Sequence, residues 1–362
     1  MKTTLRKILL PQPKSKIKAG EGQTKGKYKF FTSSSIQSKY YNCAEYSKPS
    51  LIFGTGGLAS VHFCNEPFST STDCLVMYGI ENTNLELIYH YLHNNINILQ
   101  AGFKGAGLQH ISKDYILDIE VDLPDMDTQI KIVRQMNLID NLIITEKKQI
   151  KFLDKLVKSR FTELFGDLKT NSKGWEIKTF DELTDIITDG EHITPKRASE
   201  GIYLLSARNI LNHSIKLDEV DYINQEEYTR ISRRIIPQKG DVLISCSGSV
   251  GRCCSVVDEF KFQMVRSVAL LRFKKFITPV FAEYMITSDY LQEQISNLKT
   301  SSSQANLFQG KIKVLKGVVP PLDLQNQFAE FVKQSDKSKL AVERSLKELE
   351  TLKKSLMQKY FG

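Results

Sequence analysis

The sequence PDMDTQIKIVRQMNLIDNLIITEKKQIKFLDKLVKSRFTELFG at positions 124–166 returns in altered form as PPLDLQNQFAEFVKQSDKSKLAVERSLKELETLKKSLMQKYFG at positions 320–362. The two segments align at a constant offset of 196 without a gap, and eleven of their forty-three positions are identical. A repeat of this length indicates that the chain was built by doubling, so that each half carries one copy of a shared architecture.

Both segments have the pattern of long helices. Each begins after a proline and ends at a glycine, which are typical start and stop signals. Their apolar residues follow steps of four and three, a period of about 3.5 that is typical of a coiled-coil seam. The predicted seam consists of Ile132, Met136, Ile139, Ile143, Ile150, Leu153, Val157 and Leu164, and of Phe328, Val332, Leu346, Leu349 and Leu356. Polar residues interrupt it at Glu146, Arg160, Ser335, Lys339 and Lys353. We interpret the segments as helices that pair with each other; the alternative is two separate helices, each packed on its own domain.

The remaining sequence predicts two mixed α/β domains. Short β-rich runs such as Asp241–Ile244, Ser255–Val257 and Val268–Phe273 are separated by Gly, Asn and Ser turns. Helices are predicted near Glu86–Asn94 and Pro279–Leu291. The expected fold class is therefore α+β. A first domain spans 1–123, a central helix 124–166, a second domain 167–318 and a C-terminal helix 319–362.

Composition excludes some classes of protein and favours others. Apolar residues make up 41% and charged residues 25%, as in a globular protein, and no apolar stretch approaches membrane-spanning length. The chain has a net charge of +9 but no basic tail, and this charge suits a polyanionic partner. The six cysteines lack metal-binding spacing, which predicts a reduced, cytoplasmic compartment and no metal site. Cys253 and Cys254 are interpreted as buried or edge thiols.

Several segments together resemble the specificity subunit of type I restriction–modification systems. They are 320–325, 352–362 with its inner copy 156–166, Trp175, Thr188–Pro195 and the Ser247–Arg252 loop. The resemblance covers essentially the whole chain. It implies two target-recognition domains that each read half of a split DNA sequence, held apart by two helices that pair as an antiparallel coiled coil.

The resemblance also implies the partners and cofactors. The chain would bind double-stranded DNA and would dock two methyltransferase (M) subunits and, where present, restriction (R) subunits, in defence against phage. S-adenosylmethionine, ATP and Mg would bind to these partners, so this chain would hold no cofactor and would not itself be an enzyme. One departure concerns the first domain, which is shorter than the second and has no counterpart of Trp175. It is either a more compact variant or a domain without its first strand.

Loops that combine basic, amide and hydroxyl side chains are the candidates for DNA contact, because phosphates bind cations and base edges bind amides and arginines. Gln304, Asn306, Gln109 and His110 are the leading candidates for base contacts, since they lie at corresponding places upstream of the two helices. The full set is Lys25, Lys27, Lys104, Gln109, His110, His192, Lys196, Arg197, Arg208, Ser249, Arg252, Gln304 and Asn306.

Two enzyme alternatives stay open at this point: a DNA methyltransferase or a nuclease with fused recognition domains. Phe53–Gly57 contains the F-x-G-x-G pattern of S-adenosylmethionine loops, although the catalytic Pro-Pro turn of an amino-methyltransferase is missing. Asp241 with Glu259 and Lys261 mimics the acid and E-x-K of a metal-dependent nuclease. A coiled-coil scaffold or transcriptional regulator is a third class. His90 and His93 are expected on a surface face of a helix.

Overall fold

The computed structural model describes residues 2–80, 83–298 and 306–361. The chain forms two compact units, Met1–Gln149 with Val342–Gly362, and Ile150–Ala341. The division falls inside both long helices. Each unit therefore combines a globular part with a portion of each helix.

The first unit contains three sheets. Their strand orders are β1-β11, β2-β8-β5-β6 and β4-β3-β7, and β9 pairs with β10 as a separate hairpin. The strands are β1 (Lys2–Thr4), β2 (Leu9–Pro11), β3 (Tyr28–Phe31), β4 (Lys39–Tyr41), β5 (Ser50–Gly54), β6 (Ser60–Cys64), β7 (Phe68–Thr70), β8 (Cys74–Gly79), β9 (Phe103–Lys104), β10 (His110–Ile111) and β11 (Glu120–Asp122). The helices are α1 (Leu5–Ile8), α2 (Leu85–Asn94), α3 (Ile96–Gln100), α4 (Lys113–Leu117) and the long α5 (Met126–Phe165).

The second unit repeats this plan. Its sheets have the orders β12-β22, β13-β21-β18-β19 and β17-β14-β20, and β15 pairs with β16. The strands are β12 (Glu176–Thr179), β13 (Thr184–Asp189), β14 (Ile202–Leu205), β15 (Ile210–Leu211), β16 (Ser214–Ile215), β17 (Asp221–Ile223), β18 (Val242–Ser245), β19 (Cys253–Ser255), β20 (Phe262–Met264), β21 (Val268–Phe273) and β22 (Lys316–Val319). The helices are α6 (Phe180–Leu183), α7 (Gln225–Ser232), α8 (Pro279–Thr287), α9 (Asp289–Leu298), α10 (Gln309–Lys313) and the long α11 (Leu322–Phe361).

The two globular parts share one topology, which answers the question about the first domain. Its first strand is present, because β1 pairs antiparallel with β11 as β12 pairs with β22. In each three-stranded sheet one pair is parallel, β3 with β7 and β14 with β20. The second domain is longer because it carries the β15–β16 hairpin and helix α7. Among the described residues the first domain has no element in those two places.

The elements predicted from the sequence are present, and two of them differ clearly from the prediction. The helix expected over Pro279–Leu291 is two helices, α8 and α9, because the chain breaks at Ser288, whose backbone is extended. The strand expected over Ser255–Val257 ends at Ser255, and Val257 is exposed.

The centres of the four-stranded sheets are fully buried on both faces, as Leu51 and Ile52 of β5 and Leu243 and Ile244 of β18 show.

The two long helices have the same length and lie at the same offset along the chain as the two repeated segments. Helix α5 and helix α11 both contain 40 residues, and each boundary of α11 lies 196 positions after that of α5. A buried glutamine makes the same contact near each start: Gln129 Nε2 donates to the Pro124 carbonyl and Gln325 Nε2 to the Pro320 carbonyl, both at 2.9 Å.

Within each unit the portions of α5 and α11 pack antiparallel. In the first unit, Met357 joins a buried cluster with Ile132 and Met136. In the second, the rings of Phe161 and Phe328 lie 5.3 Å apart in an edge-to-face arrangement. The predicted seam residues all lie on covered positions of these helices. Buried are Ile132, Met136, Ile139, Val157, Phe328 and Val332, and half-buried are Ile143, Ile150, Leu153, Leu164, Leu346, Leu349 and Leu356.

Within 2–80, 83–298 and 306–361, none of the helices combines the length and the apolar composition that spanning a membrane requires.

Candidate nucleic-acid interface

In the first domain, two loops that the sequence singled out lie side by side. Gly56, in the loop between β5 and β6, forms a bridge with His110, and the Gly57 amide donates to the Gln109 carbonyl at 3.2 Å. The ring of His110 also contacts the Thr55 carbonyl, with Nδ1 3.1 Å from the oxygen. The fold thus joins a small-residue loop to a polar segment more than fifty positions away.

The second domain makes the equivalent arrangement. Ser247, in the loop after β18, forms a bridge with Asn306, and the Leu307 amide donates to the Cys246 carbonyl at 2.9 Å. Gln304, the other candidate in this segment, lies outside the described residues. Both domains therefore place a candidate polar residue, His110 or Asn306, against the loop that follows the central strand.

The loop after β18 is held by its own backbone. The hydroxyl of Ser245 donates to the Ser249 carbonyl at 2.6 Å and accepts from the Arg252 amide at 3.0 Å. Gly248 and Gly251 have φ values of +67° and +92°, which β-carbon-bearing residues rarely adopt. Ser249 is exposed and Arg252 half-exposed on this fixed loop.

The remaining candidates of the first domain are exposed. Lys104 on β9 lies opposite His110 on β10, so Lys104, Gln109 and His110 occupy one hairpin. Lys25 and Lys27 precede β3, on a segment fixed by backbone hydrogen bonds between Gln23 and Tyr40. The structure therefore places these five candidates in two surface segments of one domain.

Acidic side chains pair with three of the basic candidates of the second domain. Asp221 binds two guanidinium groups, since Arg197 Nε and Arg208 Nη2 lie 3.1 and 2.9 Å from its two oxygens. His192 Nε2 lies 2.8 Å from Asp189. The candidate Lys196 contributes its backbone amide to Glu227 at 3.1 Å, and its side chain is exposed.

Sequence reasoning missed the arginines of α7 and the turn after it. Arg230 binds Glu227 through two nitrogens at 2.9 and 3.0 Å, and Arg234 Nη2 lies 2.5 Å from Asp189. These hydrogen bonds from Arg230 are the largest cause of the lowered pKa of Glu227, so this carboxylate stays charged. Lys196, Arg230 and Arg233 line a surface depression of about 500 Å³. Three arginines within positions 230–234 were the available signal.

The contacts of Asp241 and of the Phe53–Gly57 loop disagree with the enzyme alternatives. Asp241 is buried, and both its oxygens bind Arg272 at 2.7 and 2.8 Å, whereas Glu259 is exposed. The Phe53–Gly57 segment leads from β5 into the antiparallel strand β6, rather than into the N-terminus of a helix. No group of three or more His, Cys, Asp or Glu side chains that could hold a metal occurs in the described part of the chain.

Two smaller predictions have different outcomes. Cys253 and Cys254 are free and buried, and burial raises the pKa of both thiols. The expectation that His90 lies on a surface face is wrong, because only 2% of this residue is exposed and its Nε2 lies 3.0 Å from Asn137 Oδ1. Helix α5, which carries Asn137, covers His90. His93 is exposed, as expected.

Known proteins similar to this chain belong to one family. The sequence model of the type I restriction modification DNA specificity domain matches residues 8–154 and 172–353. The chain is 23% identical over 289 residues to the type I restriction enzyme MjaVIII specificity subunit of Methanocaldococcus jannaschii, covering 75% of this chain and 68% of the relative. It is 18% identical over 374 residues to the EcoBI specificity subunit of Escherichia coli, covering 93% and 77%.

Solved structures share the fold. The S subunit of a type I restriction–modification system from M. genitalium superposes with a TM-score of 0.71 at 17% identity, covering 100% of this chain and 96% of that chain. A chain from a structure on complex assembly and conformational transition of the type I system gives a TM-score of 0.56 at 17% identity, covering 100% and 97%.

Proposed function

The chain belongs to the family of type I restriction modification DNA specificity domains, and on this premise we propose that it reads a bipartite DNA target for a methyltransferase complex. The observation that carries the proposal is the repetition of one topology in two domains whose loops differ. Two copies of one scaffold with different loops suit two half-sites of different sequence, because phosphate contacts position a protein while loop side chains select bases.

The long helices support a spacer role in this proposal. Their equal length, 40 residues each, and their apolar seam are what a stiff element needs, whereas a Gly/Ser linker would let the distance vary. The helices would fix the separation of the two half-sites. Reading half-sites at a set separation is a geometric demand of bipartite DNA recognition.

Exposed apolar residues on the helices support the docking of two identical partners. They do not belong to the predicted seam, yet they recur at the offset of 196: Met126 with Leu322, Ile144 with Leu340, and Leu156 with Leu352. Each member of these pairs is 39–49% exposed. Scattered exposed apolar residues are ordinary, but the same positions in both repeats favour one partner surface used twice. We assign these positions to the two methyltransferase subunits, with the restriction subunits joining the assembled complex.

The proposal leaves catalysis to the partners. The Asp241 carboxylate and the glycine-rich loop that suggested an enzyme have structural contacts instead, and S-adenosylmethionine, ATP and Mg belong to the partner subunits in this scheme. The chain alone is therefore expected to transfer no methyl groups to DNA.

Mapping methylated adenines in the host tests the proposal. With the gene present, one split sequence should be methylated, and deletion should abolish that methylation. Exchanging residues 175–318 for the corresponding part of another family member should change one half-site only. A change in both halves, or methyl transfer by the purified chain without partners, would refute the proposal.

Docking has its own test. Leu156→Ser and Leu352→Ser should each reduce the number of bound methyltransferase subunits from two to one, and the double variant should bind none, as measured by light scattering. Thr162→Ser on α5 is the matched control and should keep both. Full binding by the double variant would contradict the docking assignment while leaving DNA recognition untouched.

A further inference from the structure

Most of the net positive charge of the chain lies in one segment of the first domain. Positions 14–48 contain eight lysines and two acidic residues, a net charge of +6 out of +9 for the chain. The rest of positions 1–123 is acidic on balance, with five basic and eight acidic residues. We call positions 14–48 the lysine segment.

The lysine segment has fixed backbone contacts, and seven of its eight lysine side chains are exposed. Gln23 and Tyr40 exchange two backbone hydrogen bonds of 2.9 and 2.8 Å, which tie the part of the segment before β3 to the edge strand β4. At Gly26 an added β-carbon would come within 2.9 Å of Tyr40, so positions 23–26 lie directly against that strand. The exposed lysines are Lys14, Lys16, Lys18, Lys25, Lys27, Lys29 and Lys48. Within the described residues, the one ion pair among them joins Lys29 to Glu66 at 3.3 Å.

The same place in the second domain is built differently. There Ala198 donates its amide to Tyr222 on the edge strand β17 at 2.8 Å, as Gln23 does to Tyr40. Positions 189–234, which surround this contact, contain seven basic and eight acidic residues, a net charge of −1. Among its arginines, Arg197 and Arg208 are held by Asp221, and Arg234 is held by Asp189.

These two arrangements suit different contacts with DNA. An unpaired lysine is a mobile point charge that attracts phosphates of any sequence, and each such contact makes binding more sensitive to salt. A guanidinium held by a carboxylate keeps a set orientation and retains further N–H donors, which is what bidentate contact with a guanine edge requires. A balanced segment offers little long-range attraction.

We propose a division of work between these two corresponding segments, alongside the half-site reading of each domain: the lysine segment supplies sequence-independent phosphate contacts, and the carboxylate-held arginines of the second domain supply oriented, sequence-dependent contacts. This division rests on the proposed function. It assigns Asp221 as a positioning residue that acts through Arg197 and Arg208.

The lysine half of the proposal is tested with the variant K16Q/K25Q/K27Q. Equilibrium binding is measured across a salt series on two duplexes, one of random sequence and one carrying the sequence methylated in the host. The slope of log affinity against log salt should become shallower by about 0.9 per lysine on both duplexes. The ratio of the two affinities should stay within about twofold, because phosphate contacts are shared by all sequences. The matched control K2Q/K7Q/K113Q removes three exposed lysines of the same domain outside the segment and should keep the wild-type slope.

The arginine half is tested with R197K/R208K, which keeps both charges but removes the planar fork. Its salt slope should match the wild type, and its preference for the target duplex should fall about tenfold or more. D221N, which leaves both arginines in place, should also lower this preference. A far-UV circular dichroism spectrum equal to that of the wild type shows that each variant is folded.

The outcomes separate this inference from the proposed function. If the wild-type chain shows no salt-dependent binding to duplex DNA, both fail. If the wild type binds but K16Q/K25Q/K27Q keeps its slope, or changes target preference instead, the division of work is overturned alone. Unchanged preference in both R197K/R208K and D221N would overturn it equally.

Discussion

The ammonium nitrogen of Lys353 lies 2.6 Å from a carboxylate oxygen of Asp140, and this contact joins α11 to α5 inside the first unit. Lys353 is one of the residues that interrupt the apolar seam in the sequence. Two other interruptions have partners of the same kind: Glu146 accepts from Ser345 at 2.6 Å, and Lys339 lies 2.8 Å from Asp154 in the second unit. Polar contacts at seam positions specify the register of paired helices, because any shift leaves them unpaired.

Removing the carboxylate should therefore destabilise the first unit. In Asp140→Ala, the half-buried Lys353 loses its charged partner, and we expect a loss of about 1–3 kcal/mol in the free energy of unfolding. Urea titration measures it. The control is Glu350→Ala, which breaks the more exposed Lys147–Glu350 pair and should cost less than about 1 kcal/mol. Equal losses in the two variants would show that the half-buried Asp140–Lys353 pair stabilises the protein no more than the exposed pair.

Replacing the buried glutamine at the start of α11 should have a larger effect. Gln325 accepts from the Thr278 amide at 2.8 Å and donates to the carbonyls of Phe276 and Pro320 at 2.9 Å. In Gln325→Leu these buried backbone groups lose their partner, so we expect a loss of about 2–3 kcal/mol. Gln327→Leu, at an exposed position of the same turn, should be nearly neutral in the same denaturation experiment. A neutral Gln325→Leu would contradict this account.

Stability should fall in mild acid because of His90. Burial lowers its pKa and outweighs the opposing hydrogen bond with Asn137 and the attraction of Asp140. The unfolded chain, with a histidine pKa of about 6.5, then takes up protons more readily than the folded one, so stability present above that pH is lost as pH falls below it. Burial also lowers the pKa of the half-buried His62, so His62 adds to the effect. Unfolding at pH 7.5 and 5.5 should show a smaller acid loss in His90→Gln than in the wild type. An equal loss would exclude His90 as a cause.

Breaking the pair of Asp241 and Arg272 tests whether the Asp241 carboxylate has a structural or a catalytic role. Only 1% of the Asp241 side chain is exposed, and Asp241→Asn would leave the Arg272 charge without its partner. We expect a loss of about 3 kcal/mol in unfolding free energy. Glu259→Gln, at the exposed E-x-K position, should change stability by less than about 0.5 kcal/mol. If Asp241→Asn kept full stability, the nuclease interpretation of this carboxylate would return.

The sequence by itself determined the parts of the molecule that depend on local pattern. Both long helices begin and end at the same offset as the repeat, because the caps and the 3.5-residue period act within a few turns of chain. The strand Val268–Phe273 was predicted at its observed boundaries for the same reason, since a continuous apolar run between turn residues is a local signal.

Only the tertiary structure decided what the candidate DNA-binding residues contact. The sequence selected Arg197 and Arg208 as candidates for DNA contact. It contained no signal that Asp221 would hold both, because these residues meet only after β14 and β17 pair. The bridges of Gly56 with His110 and of Ser247 with Asn306 likewise join positions more than fifty residues apart. Such contacts follow from the path of the chain through the sheets, and periodicity along a single segment carries no information about that path.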